Sequence, residues 1–347
     1  MAVAGHGQRL DLELTEGCDH RCGHCYNVWN ASPGDPQHAD LSRDPPLPTA
    51  ALLAALQKAA VQAPLEHITI TGGEPLLRRD ALDVIAAAAT MVPTVQLITN
   101  GSHVSPATAR RLKAAGVRGV QLTLLAGSRA LHDRLKGAVC FDDTTRAALD
   151  LAEAGVPVQC CYVAMAENAG ELRGVLELCV ALGIRQLSYN RMSPTGGAIH
   201  EIARLLPSAA QVEADLDTAE QLGRAWGVHV STAMPIPPCL VRLDRYRWVQ
   251  LGFCSTGSDT PHLVMDVRGN VRSCNLSSKI LGNLARQDWS ELFGHPYLSG
   301  FKQNIPEVCR GCAFERSCQG GCKESATATY GDPTHAEPFL WAELQRA

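Results

Sequence analysis

Residues 15–29 read TEGCDHRCGHCYNVW, with three thiols, Cys18, Cys22 and Cys25, at the spacing Cys-x3-Cys-x2-Cys. Three cysteines cannot all pair as disulfides. Thiolates this close, just after the strand-like run RLDLELT (residues 9–15), suit a soft metal centre better than a packed core. Two metals compete for the loop. A cubane iron–sulfur cluster has one more iron than these three thiolates can cap, so one corner stays open to an outside ligand. Structural zinc would want a fourth ligand, and only His20 or His24 lies near enough in sequence to supply it.

Beyond this loop a strand-then-helix rhythm repeats from residue 9 to about 230. Its strands are RLDLELT, EHITIT (66–71), TVQLIT (94–99), VRGVQLTLL (117–125), PVQCCYVAM (157–165) and IRQLSYN (184–190). Such repetition argues for parallel strands joined by right-handed crossovers. The helices between have legible ends: Ser105 as N-cap with Pro106 behind it, Gly116 past the C-terminus, then Gly155, Gly183 and Gly227. Six such units are too few to close an eight-stranded barrel, which predicts a partial (β/α)6 TIM-like barrel over residues 9–230. Residues 1–8 form a tail and residues 231–347 a smaller cysteine-rich domain. The stretch 28–47, rich in Pro, Gly, Asp and Ser, reads as a long loop, either a solvated excursion or part of an active-site cover.

After the second strand comes TGGEPLLRRD, in which Gly72 and Gly73 let the backbone approach a ligand and Glu74 offers a carboxylate. Together the two motifs resemble the radical S-adenosylmethionine (radical SAM) superfamily, whose cysteine motif usually has an aromatic neighbour, here Tyr26. The resemblance implies that the open iron of a [4Fe-4S] cluster chelates S-adenosylmethionine, whose reductive cleavage yields a 5′-deoxyadenosyl radical. It also implies that Gly72, Gly73, Glu74 and Pro75 bind the methionyl ammonium. Relatives often carry Ser-Leu-Asp-Gly after the fourth strand. Here Thr123 stands for the serine that reaches the cofactor ribose, and Leu125 or Ala126 replaces the acid. His132, Asp133, Lys136 and Gly137 resemble the family's HD-x-x-RG stretch, and NRMSPTGGA (190–198) resembles its N-x-x-P-x-G segment; both read as structural.

The C-terminal third carries Cys254, then the hairpin-like VMDVRGNVRSC with a turn at Arg268–Gly269–Asn270 and Cys274 at its end. Cys309, Cys312, Cys318 and Cys322 follow at Cys-x2-Cys-x5-Cys-x3-Cys. This region resembles the SPASM domain, which implies one or two auxiliary iron–sulfur clusters. Leu340 stands where the family pattern has its last cysteine. One set therefore has Cys309, Cys312 and Cys318 as evident thiolates, the other Cys254, Cys274 and Cys322. Water, a substrate atom, Asp332 or His335 are candidate fourth ligands, and a zinc ribbon is the competing reading of the array. The five other cysteines, Cys140, Cys160, Cys161, Cys179 and Cys239, read as buried thiols, with Cys160, Cys161 and Cys239 conceivable hydrogen donors to a substrate radical.

Of 347 residues, 46% are hydrophobic, and 35 acidic residues face 31 basic ones, so the chain is globular with no charge signature of a nucleic-acid groove. No stretch approaches a membrane span and no signal-peptide core opens the chain, so a cytoplasmic protein is expected. Fourteen cysteines there point to metal rather than disulfides. The resemblance implies a peptide maturase making a crosslink or other oxidative modification, fed electrons by a donor such as flavodoxin or ferredoxin. With the first strand near residue 9, a peptide would need a separate recognition protein or direct docking. Alternatives are an oxidase or epimerase of a sugar, aminocyclitol or tetrapyrrole side chain, and a non-catalytic zinc or electron-transfer protein.

Overall fold

Alternation along each strand separates two environments. In the computed structural model, which describes residues 8–30 and 44–346, Leu10, Leu12, Ile68, Ile70, Val95, Leu97, Val120 and Leu122 are almost fully buried against helices. Their strand neighbours Asp11, Glu13, Thr69, Gln96, Gln121, Cys161, Ser188 and Ser231 line the opposite face, in register from strand to strand. An apolar outer face and a polar inner one are what a barrel with a working lumen requires.

The strands are β1 (Gln8–Glu13), β2 (Leu65–Thr71), β3 (Thr94–Thr99), β4 (Gly119–Thr123), β5 (Val158–Ala164), β6 (Gln186–Arg191), β7 (His229–Thr232), β8 (His262–Met265), β9 (Asn270–Arg272) and β10 (Ile280–Asn283). They form one sheet in the order β10-β9-β8-β1-β2-β3-β4-β5-β6-β7. From β1 to β7 every neighbouring pair is parallel, as the crossovers demand. The crossover helices include α1 (Thr49–Gln62), α2 (Ala81–Met91), α3 (Pro106–Ala114), α4 (Arg129–Lys136), α5 (Phe141–Glu153) and α6 (Leu172–Ala181). Ser105 caps α3 by accepting the Thr108 N–H at 3.1 Å. Residues 31–43, inside the loop read from sequence, lie outside the described residues.

Two features extend the six-unit pattern. A seventh parallel strand, β7, pairs with β6 and runs to Thr232, past residue 230. The hairpin of β8 and β9, turned at Gly269 (φ +83°), joins the free edge of β1 in parallel register, with β10 beyond it. The cysteine-rich region thus shares the barrel's sheet. No helix among the described residues is long and apolar enough to cross a membrane.

A buried ion pair also fastens the chain's C-terminal end to β6. Arg191 and Glu337, both without exposed side-chain surface, meet at 2.6 Å, and the guanidinium stacks 4.7 Å over Phe339. It donates as well to the Pro235 carbonyl at 2.9 Å. Removing one partner of such a pair leaves an uncompensated buried charge. Glu337→Ala is therefore expected to cost about 3–5 kcal/mol, read as a lowered urea midpoint with loss of secondary structure.

Candidate metal and cofactor site

The cysteine loop leaves the C-terminal end of β1 and is held from several sides by backbone hydrogen bonds. The N–H of Gly73 donates to Thr15 O and that of Glu74 to Gly17 O, both at 2.8 Å. Arg21 N donates to Lys136 O at 3.2 Å, and Ala198 N donates to Cys25 O at 3.0 Å. These contacts exist because the facing residues lack side chains. A Cβ on Gly72, Gly73, Gly137 or Gly196 would fall closer than 3.0 Å to the carbonyl of Thr15, Gly17, Arg21 or Asn27 respectively. Gly137 and Gly196, read from sequence as structural or as turn residues, belong to this seat.

Glu74 sits at the centre of the support. Fully buried, it accepts from Leu76 N at 3.0 Å, Thr99 Oγ1 at 2.8 Å and Asn100 N at 2.7 Å. Burial raises its carboxyl above the ordinary value, and these three donors oppose that rise. Asn100 Nδ2 in turn holds Asp19, between the first two cysteines, at 2.7 Å, with His103 at 2.9 Å from its other oxygen. Asn27 Nδ2 donates to Gly72 O at 2.9 Å. Pro75 is buried at the first position of the short helix that Glu74 caps. Tyr26 is half-buried beside the loop, its hydroxyl disfavoured from ionising by burial and then by the nearby Asp11 and Glu13. Thr123 ends β4 on the lumen face, in register with Cys161.

The donor chemistry fits a cluster. Burial pushes the Cys18 thiol up to about 11, and Cys22 and Glu74 add to the rise through their charge. Among the described residues, the sulfurs of Cys18, Cys22 and Cys25 do not all lie within 4.8 Å of one another. Two sulfurs on one zinc at ~2.3 Å each can be no further apart than ~4.6 Å, whereas a polynuclear centre gives each thiolate its own metal atom. Of the two candidate fourth zinc ligands, His20 spends Nε2 on Ser102 Oγ at 3.0 Å, while its Nδ1 and that of His24 are buried without a hydrogen-bond partner among the described residues.

One trio does meet that distance criterion: His132, Asp133 and Cys140, behind the loop. Asp133 Oδ1 accepts from Cys140 N at 2.9 Å and Phe141 N at 2.8 Å, starting α5. His132 Nδ1 accepts from Leu125 N at 3.3 Å, which puts the ring proton on Nε2 and leaves no lone pair for a metal. The trio is a helix junction. Leu125 and Ala126, where relatives carry an acid, are fully buried.

The C-terminal thiols fall into two groups. Cys274 has Cys322 and Cys254 among its electrostatic neighbours, and Cys309 has Cys318 and Cys312. Of the five remaining cysteines four are buried as expected; Cys239 is exposed, which corrects the sequence reading, because it sits in a surface turn after β7. Cys160 packs with Cys179 on the helix side, while Cys161 faces the lumen with Asn190 Nδ2 at 3.5 Å. Sequence reading also missed the lumen floor. Asp11 accepts from His262 Nε2 at 2.6 Å and Asn275 Nδ2 at 2.8 Å, and although burial raises its carboxyl, these partners outweigh it and hold the group low.

The family model described as the Radical SAM superfamily matches residues 12–179. A PqqA peptide cyclase of Methylocella silvestris is 28% identical over 95% of this chain and 86% of its own length. SuiB of Streptococcus suis bound to precursor peptide SuiA superposes with a TM-score of 0.73 at 16% identity, over 94% of this chain and 74% of SuiB. Native anSMEcpe with bound AdoMet and Cp18Cys peptide gives 0.70 at 17%, over 97% and 95%.

Two outcomes test the seat. Gly73→Ala, whose Cβ would strike the Gly17 carbonyl, is expected to lower iron bound per chain by one cluster's content. His132, held neutral by burial down to about 3 against an ordinary 6.5, binds its proton more readily in the unfolded chain. Stability contributed here is present above 6.5 and lost as pH falls toward 3. Metal-free His132→Gln should therefore show an acid-side loss, from urea midpoints at pH 7 and 5, smaller by about 2 kcal/mol.

Proposed function

Because the chain belongs to the radical SAM superfamily, through the barrel that begins with its cysteine loop, we propose that it is a peptide maturase that reductively cleaves S-adenosylmethionine and oxidatively modifies its substrate. The observation that carries this reading is the likeness to a PqqA peptide cyclase over 95% of the chain, cysteine-rich region included. When bound, the cluster and cofactor supply a radical able to take hydrogen from unactivated carbon, work beyond any acid or base side chain.

The chain's own residues do the holding and aiming. Cys18, Cys22 and Cys25 hold the cluster on a loop whose backbone is fixed by its neighbours, so the open corner keeps one direction. The Glu74 carboxylate is already engaged by three donors. Glu74 and the backbone of the Gly72–Pro75 strip recognise the methionyl ammonium, with Thr123 for the ribose and Tyr26 beside the loop. The lumen face, polar from Asp11 across to Ser231, receives the peptide segment. Cys254, Cys274, Cys309, Cys312, Cys318 and Cys322 would hold auxiliary clusters, which would supply a redox centre for an electron released by oxidation. Reduction comes from a small carrier such as flavodoxin or ferredoxin, and a separate protein can deliver the peptide.

Anaerobically reconstituted protein given S-adenosylmethionine and dithionite is expected to form 5′-deoxyadenosine and methionine, and Cys22→Ala to form neither. Iron-loaded wild-type protein that leaves the cofactor intact would falsify the proposal.

A further inference from the structure

The loop that follows β7 carries Cys239 in a turn in which Pro237 O accepts from Leu240 N at 3.0 Å and Val241 N at 3.3 Å. Its position is fixed from the barrel side. Arg191 donates to Pro235 O at 2.9 Å and, with the same Nη2, to both oxygens of buried Glu337 at 2.6 Å. Glu337 backs directly onto Gly321, where a Cβ would collide with its Oε1, and a Cβ on adjacent Gly320 would lie 3.5 Å from Cys309 Sγ. A continuous run of contacts thus leads from the Cys239 loop to the Cys309–Cys318 array. The charged neighbours of the Cys239 sulfur are Cys318, Cys312 and Glu337, and Cys309 counts Cys239 among its own. Leu340, where the family pattern has a thiol, is instead buried on the helix Pro338–Leu344.

We propose that Cys239 supplies the missing thiolate and completes, with Cys309, Cys312 and Cys318, a closed four-cysteine site for an auxiliary iron–sulfur cluster. This rests on the reading of the C-terminal cysteines as cluster ligands given above. The other set is not its home, since the neighbours of Cys274 are Glu324, Cys322 and Cys254. The array is prepared for thiolates by N–H donors. Phe314 N donates to Cys312 Sγ at 3.4 Å, and the backbone N–H groups of Gly320 and Gly321 are directed at Cys318. Four thiolates cap every iron of a cubane, so this centre passes electrons without binding substrate. Cys254, Cys274 and Cys322 leave a corner uncapped, which makes that set the one able to ligate substrate directly.

The test uses the full chain with Cys18, Cys22 and Cys25 changed to Ala, reconstituted anaerobically with iron and sulfide. Adding Cys239→Ala is expected to open one corner of that cluster, so that the reduced protein's electron paramagnetic resonance spectrum gains a component that shifts on addition of cyanide and is absent from the parent, while Cys160→Ala leaves the spectrum as in the parent. A Cys239→Ala protein whose spectrum matches its parent's, with and without cyanide, overturns the proposal. A second measurement needs no variant at Cys239: iodoacetamide labelling of reconstituted wild type, read by peptide mass spectrometry. Cys239 should be protected in the loaded protein and labelled once iron is chelated; equal labelling in both states overturns the assignment. A parent without any iron overturns the auxiliary-cluster reading as well, whereas an unchanged spectrum on Cys239→Ala overturns the ligand assignment alone.

Discussion

Everything at the site depends on backbone meeting backbone around the cysteine loop. Loops with several thiols are hard to hold still, because their side chains are reserved for metal and cannot pack a core. Here the scaffold does the holding. Gly72 and Gly73 after β2, Gly137 after α4 and Gly196 after β6 each bring a bare backbone against a carbonyl of the loop, at Thr15, Gly17, Arg21 and Asn27. A side chain at any of them would push the loop away by more than neighbouring backbone can yield. Three separate parts of the barrel therefore converge on one short segment, and the direction of its thiols is a property of the whole sheet rather than of the loop.

That arrangement explains what could be read in advance. The thiol spacings, the helix cap at Ser105 and the glycine stops belong to local chemistry, and local chemistry is written residue by residue. The long-range contacts are not. Gly137 and Gly196 look like ordinary turn residues, and only the folded chain brings them to Arg21 and Asn27. Cys239 stands fifteen residues before its nearest cysteine in sequence, with no motif around it, and its neighbours are assembled by Arg191 and Glu337. β7 escaped notice because it is four residues long and leads into irregular chain rather than another helix. The Glu74 carboxylate shows the converse. Its motif was legible, while its occupation by Thr99 and Asn100 follows from how β2 and β3 lie side by side.

The link between the barrel and the cysteine-rich region has the same character. Cys274 is anchored on both sides to β1: Arg272, two residues before it, pairs with Glu13, and Asn275, next to it, donates to Asp11 at 2.8 Å. Arg272 also lies 5.7 Å over the ring of Trp29, just past the cysteine loop, so one guanidinium touches the chain before and after Cys18, Cys22 and Cys25. Arg268 adds a further pair with Glu16, inside the approach to Cys18. Since β1 runs straight into the loop, any movement of the Cys274 segment relative to the first cysteines must break the buried Arg272–Glu13 pair, which has no solvent to replace it. Electron transfer between two metal centres, and a substrate held between them, both need a fixed separation. The buried Arg272–Glu13 pair and the Asn275–Asp11 hydrogen bond on β1 supply that constraint, and they do so where the sheet itself is continuous from β1 to β8. The Cys274 segment is thereby fixed relative to the strand that leads into the amino-terminal thiols.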